Sequence, residues 1–246
     1  MTLLSARGLA HRFPDGGYGI RNLDIDIFSD ELLLIAGRNG SGKTVLMLHL
    51  VGLLTPTKGT IHYRGNPVSS RIDEVRNRVG IVLQDPRAQF LGQTVAEDVG
   101  FGLEYEGCDS IEAERRVAES LETMKIADLA DRRPFFLSGG EQRKTALAAL
   151  LARKPEALIL DEPFIGLDLP GVISITETLL DLRKRGHTVV VITHDIEKIL
   201  AHADRLAIMD EGRVVGSGSP GDMIPLLRQH AIRYPRGPVE SMSWLE

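Results

Sequence analysis

The sequence predicts an α/β fold in which helices flank a mainly parallel sheet and an antiparallel β part lies near the N-terminus. Four short apolar segments carry this prediction, because each ends in polar residues, as do strands that a parallel sheet buries on both faces: ELLLIAG, VGIVLQ, ALILDEP and TVVVITHD. The segment LDIDI at 23–27 alternates apolar and acidic residues and predicts a strand with one wet face. Further on, DEG at 210–212 joins RLAIM to RVVGSG and predicts a hairpin turn.

Between residues 94 and 137 the pattern becomes helical, and we predict a helical subdomain over about 90–150, inserted into the α/β core. Two residue pairs have the spacing of capping boxes: Thr94 with Glu97, and Asp109 with Glu112. Four apolar residues are predicted to share one helical face: Ile111, Val117, Leu121 and Met124. The chain, 1–246, is expected to form a single domain, with 221–246 as an irregular or short-helical C-terminal extension.

Composition and charge argue against several functional classes. With 246 residues, 43% of them hydrophobic, the chain can bury one sizeable core. Its net charge of −5 and the lack of a Lys and Arg cluster interleaved with aromatics argue against a nucleic-acid partner. The single cysteine, Cys108, cannot form an internal disulfide, has no basic neighbour to activate it, and indicates a reducing compartment. We find no signal-peptide core and no apolar run near the ~20 residues that span a bilayer, so work at a membrane would need an anchoring partner chain.

The segment GRNGSGKT at 37–44 matches a phosphate-binding P-loop, and it lies between the strand ELLLIA and the apolar helix VLMLHLVGLL, as a P-loop requires. In such a loop backbone N–H groups wrap the β-phosphate, Lys43 reaches the β- and γ-phosphate oxygens, and the Thr44 hydroxyl binds Mg²⁺. The N–H groups would come from Asn39, Gly40, Ser41, Gly42, Lys43 and Thr44. The alternative, an ordinary glycine loop, needs neither the Lys-Thr pair nor both flanking elements. The P-loop therefore predicts a bound nucleotide with Mg²⁺.

A P-loop also needs a carboxylate on a neighbouring strand to hold the metal, and ALILDE ends in Asp161 and Glu162. Adjacent side chains at a strand end point in different directions. Asp161 can therefore serve Mg²⁺ while Glu162 faces the γ-phosphate and orients water. The alternative for Glu162 is a solvated acid at the strand end.

LSGGE at 137–141 is a second glycine turn, and it opens the predicted helix EQRKTALAALLA. Its glycines let the backbone approach an anion, and the first N–H groups of the helix have no partner within that helix. The chain thus carries two turns suited to phosphate, far apart in the sequence.

Six segments in this order resemble the ATP-binding-cassette (ABC) ATPases and cover nearly the whole chain: GRNGSGKT, Gln84 after VGIVL, LSGGEQR, LILDEP, GLD at 166–168, and His194 after VVVIT. The resemblance implies a P-loop NTPase core and ATP hydrolysis. In that family two subunits pack head to tail, and the Ser-Gly-Gly turn of one caps the γ-phosphate held by the other. Ser138, Gly139 and Gly140 would therefore act in trans, on the P-loop of a second ATPase subunit, either the same chain or a homologous one.

Further roles follow from the resemblance alone. Glu162 would be the general base, and His194 would hydrogen-bond the γ-phosphate. Gln84 would touch Mg²⁺ or the attacking water, and Asp161 would hold the metal through water. Asp168 would lie at the contact between the two subunits.

The adenine contact leaves a choice, and two positions depart from the family pattern. Phe13 is the first choice for the aromatic that stacks on adenine and Tyr18 the second; the alternative for either is packing in the core. Val45 stands where the family usually has a second hydroxyl for the α-phosphate, which should weaken nucleotide binding by only ~0.5 to 1.5 kcal/mol. Phe164 replaces the usual Ser or Thr after DEP.

The stretch QDPRAQFLGQTVAEDVGFG at 84–102, with HRFPDG near the N-terminus, resembles the energy-coupling-factor (ECF) and cobalt-type transport ATPases. This implies an importer subunit at the cytoplasmic face of the membrane, working with a transmembrane coupling subunit and a substrate-binding membrane subunit on a vitamin or transition-metal ion. In the resembling family a groove holds a short helix of the membrane subunit, and Phe90, Leu91 and Val95 would supply apolar anchors here. The alternative is that these residues pack the helical subdomain.

Other functional classes fit the sequence less well. A cytosolic cassette ATPase acting on DNA or ribosomes would normally carry coiled-coil inserts, tandem cassettes or basic arms, none of which the sequence shows. A small-molecule kinase would use the P-loop but needs neither LSGGE nor Glu162 after Asp161. The main alternative is a soluble ABC ATPase that is not tied to transport.

Overall fold

A computed structural model describes residues 1–233 and 237–245, and within these ranges the chain forms ten strands and seven α-helices. The strands are β1 (Thr2–Arg12), β2 (Tyr18–Phe28), β3 (Leu32–Gly37), β4 (Lys58–Tyr63), β5 (Asn66–Pro67), β6 (Val79–Val82), β7 (Ala157–Asp161), β8 (Thr188–Thr193), β9 (Arg205–Asp210) and β10 (Arg213–Gly218). The helices are α1 (Lys43–Leu50), α2 (Ile72–Arg78), α3 (Val95–Tyr105), α4 (Ser110–Met124), α5 (Gly139–Ala152), α6 (Leu169–Lys184) and α7 (Pro220–Gln229). None of these helices has both the length and the apolar character that crossing a bilayer demands.

The strands form two sheets that match the predicted α/β class. The larger has six strands in the order β10-β9-β3-β8-β7-β6, all parallel to their neighbours except β10, which pairs antiparallel with β9. The smaller is antiparallel and has four strands in the order β2-β1-β4-β5. The mainly parallel sheet and the antiparallel part near the N-terminus are therefore both confirmed.

The larger sheet separates two hydrophobic cores, because successive side chains of each central strand point to opposite faces. On β3, Leu32 and Leu34 join the core formed with α3, α4, α5 and α6. Leu33 and Ile35 join the core shared with α1 and the smaller sheet. All four side chains are fully buried, which explains why the segment is apolar at every position, as predicted.

Two further strand predictions are confirmed. In LDIDI the three apolar residues are buried, whereas Asp24 is exposed. At DEG, Glu211 and Gly212 occupy the left-handed region with φ of 44° and 76°, and the β9–β10 ladder continues on both sides. A two-residue loop with positive φ at both positions matches the right-handed twist of the strands it joins.

The helices α3 and α4 begin at capping residues, though only one pair forms a reciprocal box. Thr94 accepts a hydrogen bond from the Glu97 N–H at 3.2 Å, and the Glu97 carboxylate accepts from the Thr94 N–H at 3.3 Å, so this capping box is confirmed. Asp109 caps α4 by accepting from two backbone N–H groups. The box with Glu112 is wrong, because the Glu112 carboxylate instead binds two arginines one turn further along α4.

The apolar face of α4 is confirmed only in part. Leu121 and Met124 are buried and Val117 packs against the same core, but Ile111 is 78% exposed. Ile111 precedes Val117 by six residues, which at 3.6 residues per turn puts it roughly 120° away around the helix. The prediction for Ile111 is therefore wrong, since its side chain points away from the face that the other three share.

The C-terminal part contains short helical elements, as expected. α7 has ten residues and contains Pro225, and Leu227 anchors it in the core. Further on, Val239–Ser241 forms a short 3-10 turn, and Met242 is buried in the same core. Pro235, which the sequence analysis placed in this extension, lies outside the described residues. The segment beyond α7 thus packs back onto the α/β body.

Candidate functional site

The P-loop occupies the turn between β3, which ends at Gly37, and α1, which begins at Lys43. Gly42 precedes the helix with a φ of 98°, in the left-handed region. A Cβ atom there would lie 2.3 Å from the Gly19 carbonyl oxygen on β2, so only glycine allows this close approach of backbone to backbone. The loop therefore rests against the smaller sheet while it extends from the larger one.

A cavity of about 370 Å³ opens at the P-loop, and most of the predicted site residues line it. These are Phe13, Asn39, Gly40, Gly42, Lys43, Thr44, Val45, Gln84, Asp161, Glu162 and His194. The lining is completed by Tyr18, Gly19 and Ile165. Ser41 differs from the rest of the loop, since its side chain is buried and its N–H donates to the Arg38 carbonyl oxygen at 3.1 Å.

Lys43 lies at the floor of the cavity and is buried. Its ammonium donates to the carbonyl oxygens of Gly37 and Arg38 at 2.7 and 3.0 Å. Burial lowers the pKa of Lys43, and the nearby carboxylates of Glu162 and Asp161 oppose the shift. A buried ammonium facing an open cavity can bind an anion that enters from solvent.

Thr44 and Asp161 meet across the cavity floor. The Thr44 hydroxyl donates to Asp161 Oδ2 at 2.7 Å, which joins the start of α1 to the end of β7. Burial raises the pKa of Asp161, against the opposing effects of this hydrogen bond and of Lys43. A hydroxyl and a carboxylate oxygen this close are hard ligands of the kind that Mg²⁺ prefers, so the donor set fits the predicted metal. Within residues 1–233 and 237–245, no group of three or more His, Cys, Asp or Glu side chains could hold a metal ion.

Glu162 turns to the other side of the strand end from Asp161. Its backbone φ of 49° is uncommon for a residue with a side chain, and such strained conformations cluster at functional sites. Its carboxylate accepts from the Thr193 hydroxyl at 2.8 Å and from His194 Nδ1 at 2.7 Å. The His194 backbone N–H donates to the same carboxylate at 3.1 Å. The ends of β7 and β8 thus present Glu162 and His194 as a hydrogen-bonded pair.

The two aromatic residues considered for adenine lie at the cavity rim. Phe13 is 40% exposed and Tyr18 is 49% exposed, so the core-packing alternative is wrong for both. His11 meets Phe13 edge-on with ring centroids 4.9 Å apart, and His11 Nδ1 lies 3.0 Å from His49 Nε2. Burial, reinforced by the neighbouring His11, lowers the pKa of His49 to about 4, so this histidine of α1 is neutral at pH 7.

Gln84 follows β6 and lies exposed at the cavity rim. Two side chains that the sequence predictions missed hold the segment behind it. The side-chain amide of Gln89 donates to a backbone carbonyl oxygen of β6 at 3.0 Å and accepts from the N–H of the residue after that strand at 2.8 Å. The buried carboxylate of Asp98 accepts from two consecutive N–H groups of the loop before α3, at 2.6 and 2.9 Å. The sequence did contain a signal for Asp98, because it is a charged residue on the otherwise apolar face of a predicted helix.

The three apolar residues considered as groove anchors differ in exposure. Phe90 is buried and meets Phe135 edge-on with centroids 5.8 Å apart, and Val95 is fully buried. Leu91, in contrast, is 67% exposed. A cavity of about 150 Å³ lies here, lined in part by Phe90, Leu91 and Phe101. Phe90 and Val95 therefore pack the helical region, as the alternative holds, and Leu91 is the member of the three that faces solvent.

The second glycine turn lies at a different cavity, of about 630 Å³. Ser138 caps α5, and its N–H donates to the Glu141 carboxylate at 2.8 Å in a reciprocal capping box. The predicted residues Ser138, Gly139, Gly140 and Asp168 line this cavity. No residue in the described part of the chain lines both this cavity and the one at the P-loop.

Arg143, which the sequence predictions missed, connects the two regions. It is buried on α5, and its guanidinium donates to the Gly139 carbonyl oxygen at 3.3 Å and to the Ile165 carbonyl oxygen at 2.5 Å. Ile165 lines the P-loop cavity, whereas Gly139 lines the second one. One side chain thus ties the second turn to the loop that follows Glu162.

The β9–β10 turn also meets the P-loop. The N–H of the buried Gly212 donates to the Ser41 carbonyl oxygen at 3.0 Å. The Gly212 carbonyl oxygen accepts from the Arg21 N–H on β2 at 2.8 Å. One glycine therefore joins the P-loop to both sheets through backbone groups alone.

The chain is similar to known proteins over nearly its full length. The sequence profile of the ABC transporter family matches residues 20–165. The energy-coupling factor transporter ATP-binding protein EcfA of Methanocaldococcus jannaschii is 35% identical over 242 residues, covering 96% of this chain and 87% of the relative. The cobalt import ATP-binding protein CbiO of Rhodobacter capsulatus is 41% identical over 239 residues, covering 95% of this chain and 85% of the relative.

Solved structures share the fold. CbiO1 from Clostridium perfringens, part of the ABC transporter complex cbiONQ, has a TM-score of 0.83 at 32% identity, and the match covers 96% of each chain. An ATP-binding cassette solved as a dimer in a post-hydrolysis state, bound to ADP and Pi, has a TM-score of 0.79 at 25% identity and covers 89% of this chain and 99% of its own.

Proposed function

Because this chain belongs to the ABC transporter family of ATP-binding proteins, we propose that it is the ATPase subunit of an ECF-type importer and hydrolyses MgATP in a head-to-tail dimer. The observation that carries this proposal is the separation of the two glycine turns. The P-loop shares a cavity with Asp161 and Glu162, whereas the Ser138–Gly140 turn faces another. Each chain thus offers two different halves of a nucleotide site. A second ATPase subunit, identical or homologous, would complete each of them.

ATP would bind in the P-loop cavity. Its adenine would stack on Phe13, or on Tyr18 as the second choice, and Lys43 would contact the β- and γ-phosphate oxygens. Phosphate oxygens beside Lys43 would favour the charged ammonium that burial otherwise disfavours. Thr44, Asp161 and Gln84 would hold Mg²⁺, which neutralises charge on the phosphate oxygens when bound.

Glu162 would act as the general base. An ionised carboxylate has about four lone-pair sites, and three protein donors already bond to this one, so it can still accept from a water molecule. The water oxygen would bond to the γ-phosphorus as the bond to the leaving ADP oxygen breaks, and the water proton would pass to Glu162. His194 would bridge Glu162 and a γ-phosphate oxygen, which requires a proton on each ring nitrogen.

The second turn would act on the other subunit. Ser138 and the N–H groups of Gly139 and Gly140 stand at the start of α5, where orphan donors and the helix dipole both favour an anion. They would contact the γ-phosphate that the P-loop of the partner holds. Asp168, which caps α6 and lines the same cavity, would lie at the subunit contact.

The relatives favour transport over a soluble role. EcfA carries the name of an energy-coupling factor transporter, CbiO that of cobalt import, and cbiO1 is part of the ABC transporter complex cbiONQ. By this likeness the chain would sit at the cytoplasmic face of the membrane on a transmembrane coupling subunit, beside a substrate-binding membrane subunit for a vitamin or transition-metal ion. The exposed Leu91, beside the cavity that Phe101 lines, would supply an apolar anchor for a helix of the coupling subunit.

Purification from native membranes tests the transport assignment. We expect membrane proteins to accompany the chain and the complex to hydrolyse MgATP. A chain that hydrolyses ATP but purifies without membrane proteins would instead be a soluble ABC ATPase.

A matched pair of variants tests the docking site. Leu91→Ser should weaken assembly with the membrane subunits and leave the melting temperature of the isolated subunit unchanged, because the side chain is mostly in solvent. Ile111→Ser, which removes an even more exposed apolar side chain from α4, should leave assembly intact. Normal assembly and transport by Leu91→Ser would contradict the docking role.

A further inference from the structure

A buried lysine lies close to the candidate catalytic histidine. Lys198 is 8% exposed, and its ammonium donates to Asp195 Oδ2 at 2.8 Å. The same nitrogen lies 5.9 Å from the ring centroid of Phe164 and 4.9 Å from that of Trp244. Lysine is rarely buried without a partner, and this one has a carboxylate and two aromatic rings.

Asp195 lies between this lysine and His194. Its Oδ1 is 3.7 Å from His194 Nε2, beyond hydrogen-bond distance, while Lys198 holds the other oxygen. Burial alone would raise the pKa of Asp195, but the ammonium of Lys198, together with His194 and Arg233, holds it below its ordinary value. Without the lysine, this ionised carboxylate could accept a hydrogen bond from the neighbouring His194 Nε2 instead.

The C-terminal segment brings Trp244 to Lys198. The Ala201 N–H donates to the Met242 carbonyl oxygen at 3.1 Å. One residue further along each segment, His202 Nε2 lies 2.7 Å from the hydroxyl oxygen of residue 243. Because Met242 is also buried in the core, the segment is fixed against the turns that follow His194.

We propose that Lys198 is a positioning residue for His194, which holds Asp195 back from the imidazole so that the ring stays available to the γ-phosphate. This inference rests on the role proposed above for His194. Phe164 and Trp244 keep the ammonium in place. The aromatic ring that replaces the family's usual Ser or Thr at position 164 therefore serves to hold Lys198. The C-terminal segment thereby affects turnover from outside the nucleotide cavity.

Lys198→Met tests the inference, because methionine keeps an unbranched apolar side chain between the two rings and removes the charge. In the full chain we expect kcat to fall roughly ten- to hundredfold, as a displaced catalytic group would cause, with the Kd for ATP unchanged. Lys198→Arg keeps the charge and should retain most of the activity. Adding Asp195→Ala to Lys198→Met should restore kcat, because it removes the competing acceptor.

The rescue separates positioning from mere packing. An unchanged kcat in Lys198→Met, or a fall that Asp195→Ala does not restore, would overturn the inference. Trp244 is the single tryptophan of the sequence, so its emission maximum reports whether the segment stays docked in every variant that keeps it. If Lys198→Met does not fold, Trp244→Leu replaces it in the same assay, with a smaller fall in kcat expected and the same rescue required.

His194→Ala distinguishes the failure of this inference from that of the proposed function. If His194→Ala hydrolyses ATP at the normal rate, the role proposed for His194 is wrong. If His194→Ala is inactive and Lys198→Met is fully active, the role of His194 stands and the positioning role of Lys198 is wrong.

Discussion

The two glycine turns of this chain both lead into a helix but differ in their backbone and in what surrounds them. Gly42 precedes α1 in the left-handed region, whereas Gly139 and Gly140 are already the first residues of α5. The P-loop has a buried ammonium, a hydroxyl and two carboxylates at one cavity. The turn at Ser138 has a helix start and a capping carboxylate, Glu141, which already accepts from the turn's own backbone. Holding phosphate needs only a turn and a helix start, whereas hydrolysis also needs a base and metal ligands. On the proposed function, the first turn therefore belongs to a hydrolytic half-site, and the second would complete the half-site of another subunit.

The largest effect should come from removing the base at the P-loop. Glu162→Gln should lower the rate of ATP hydrolysis by roughly 10² to 10⁴, since a general base contributes about that much. ATP should still bind, because the contacts to Lys43 and the loop are unchanged. Phosphate release and nucleotide titration measure the two effects. Glu114→Gln, an exposed carboxylate on α4, is the matched control, and near-normal turnover by Glu162→Gln would show that the base lies elsewhere.

The helices behind the two turns should differ in acid sensitivity. α1 carries the buried His49, whose pKa in the folded chain is about 4, whereas α5 contains no histidine. Above the pKa of His49 in the unfolded chain, the histidine is neutral in both states and the full stability is present. As the pH falls towards the lower pKa of the folded chain, the unfolded chain takes up a proton that the folded chain does not, and the free energy of unfolding decreases. Between about pH 6.5 and 4 the free energy of unfolding should fall by about 3 kcal/mol.

Urea unfolding at several pH values measures this effect. His49→Leu removes the titrating group, so the variant should lose less stability than the parent over the same pH range. Parallel pH profiles for the two proteins would mean that His49 contributes nothing to acid sensitivity.

A charge placed at the second turn should weaken the dimer without unfolding the helix. Ser138→Asp keeps a cap of equal quality, yet its carboxylate would face the γ-phosphate of the partner subunit. We expect ATP-dependent dimerisation to weaken by about 2 kcal/mol, roughly thirtyfold. Light scattering in the Glu162→Gln background measures it. Thr94→Asp makes the same exchange at the cap of α3, outside both cavities, and should have no effect; equal dimerisation by the two variants would leave the second turn without its proposed role.

The smallest effect concerns Val45, which lines the P-loop cavity. Val45→Thr nearly preserves the shape and adds a hydroxyl that can bond to the α-phosphate, so ATP should bind roughly two- to tenfold more tightly. Val45→Ala changes the same side chain without adding a donor and should not tighten binding. Titration with a fluorescent ATP analogue compares them, and equal affinity of Val45→Thr and the parent would contradict the expected contact.

Contiguous patterns predicted the sheet and the P-loop because their determinants lie side by side in the sequence. The strand segments are apolar at every position, and the loop needs one run of eight residues. The exposures of Phe90 and Leu91 depend instead on which helix covers each side chain. Likewise Lys198 meets a ring of the distant C-terminal segment, and no local pattern specifies such a pair. The direction of Ile111 does follow from the sequence, because its six-residue separation from Val117 turns it away from the shared face of the helix.

The turn at 210–212 has the outward signs of a good place to insert a tag or reporter domain, since it is a short hairpin between two strands. Yet the N–H and carbonyl groups of Gly212 are committed to the P-loop and to β2, so any added chain there would pull on the phosphate-binding turn itself. Gly107, just beyond α3, has a φ of 70° and open space where a side chain would be. Engineered insertions into this protein therefore belong near Gly107 and not in the hairpin.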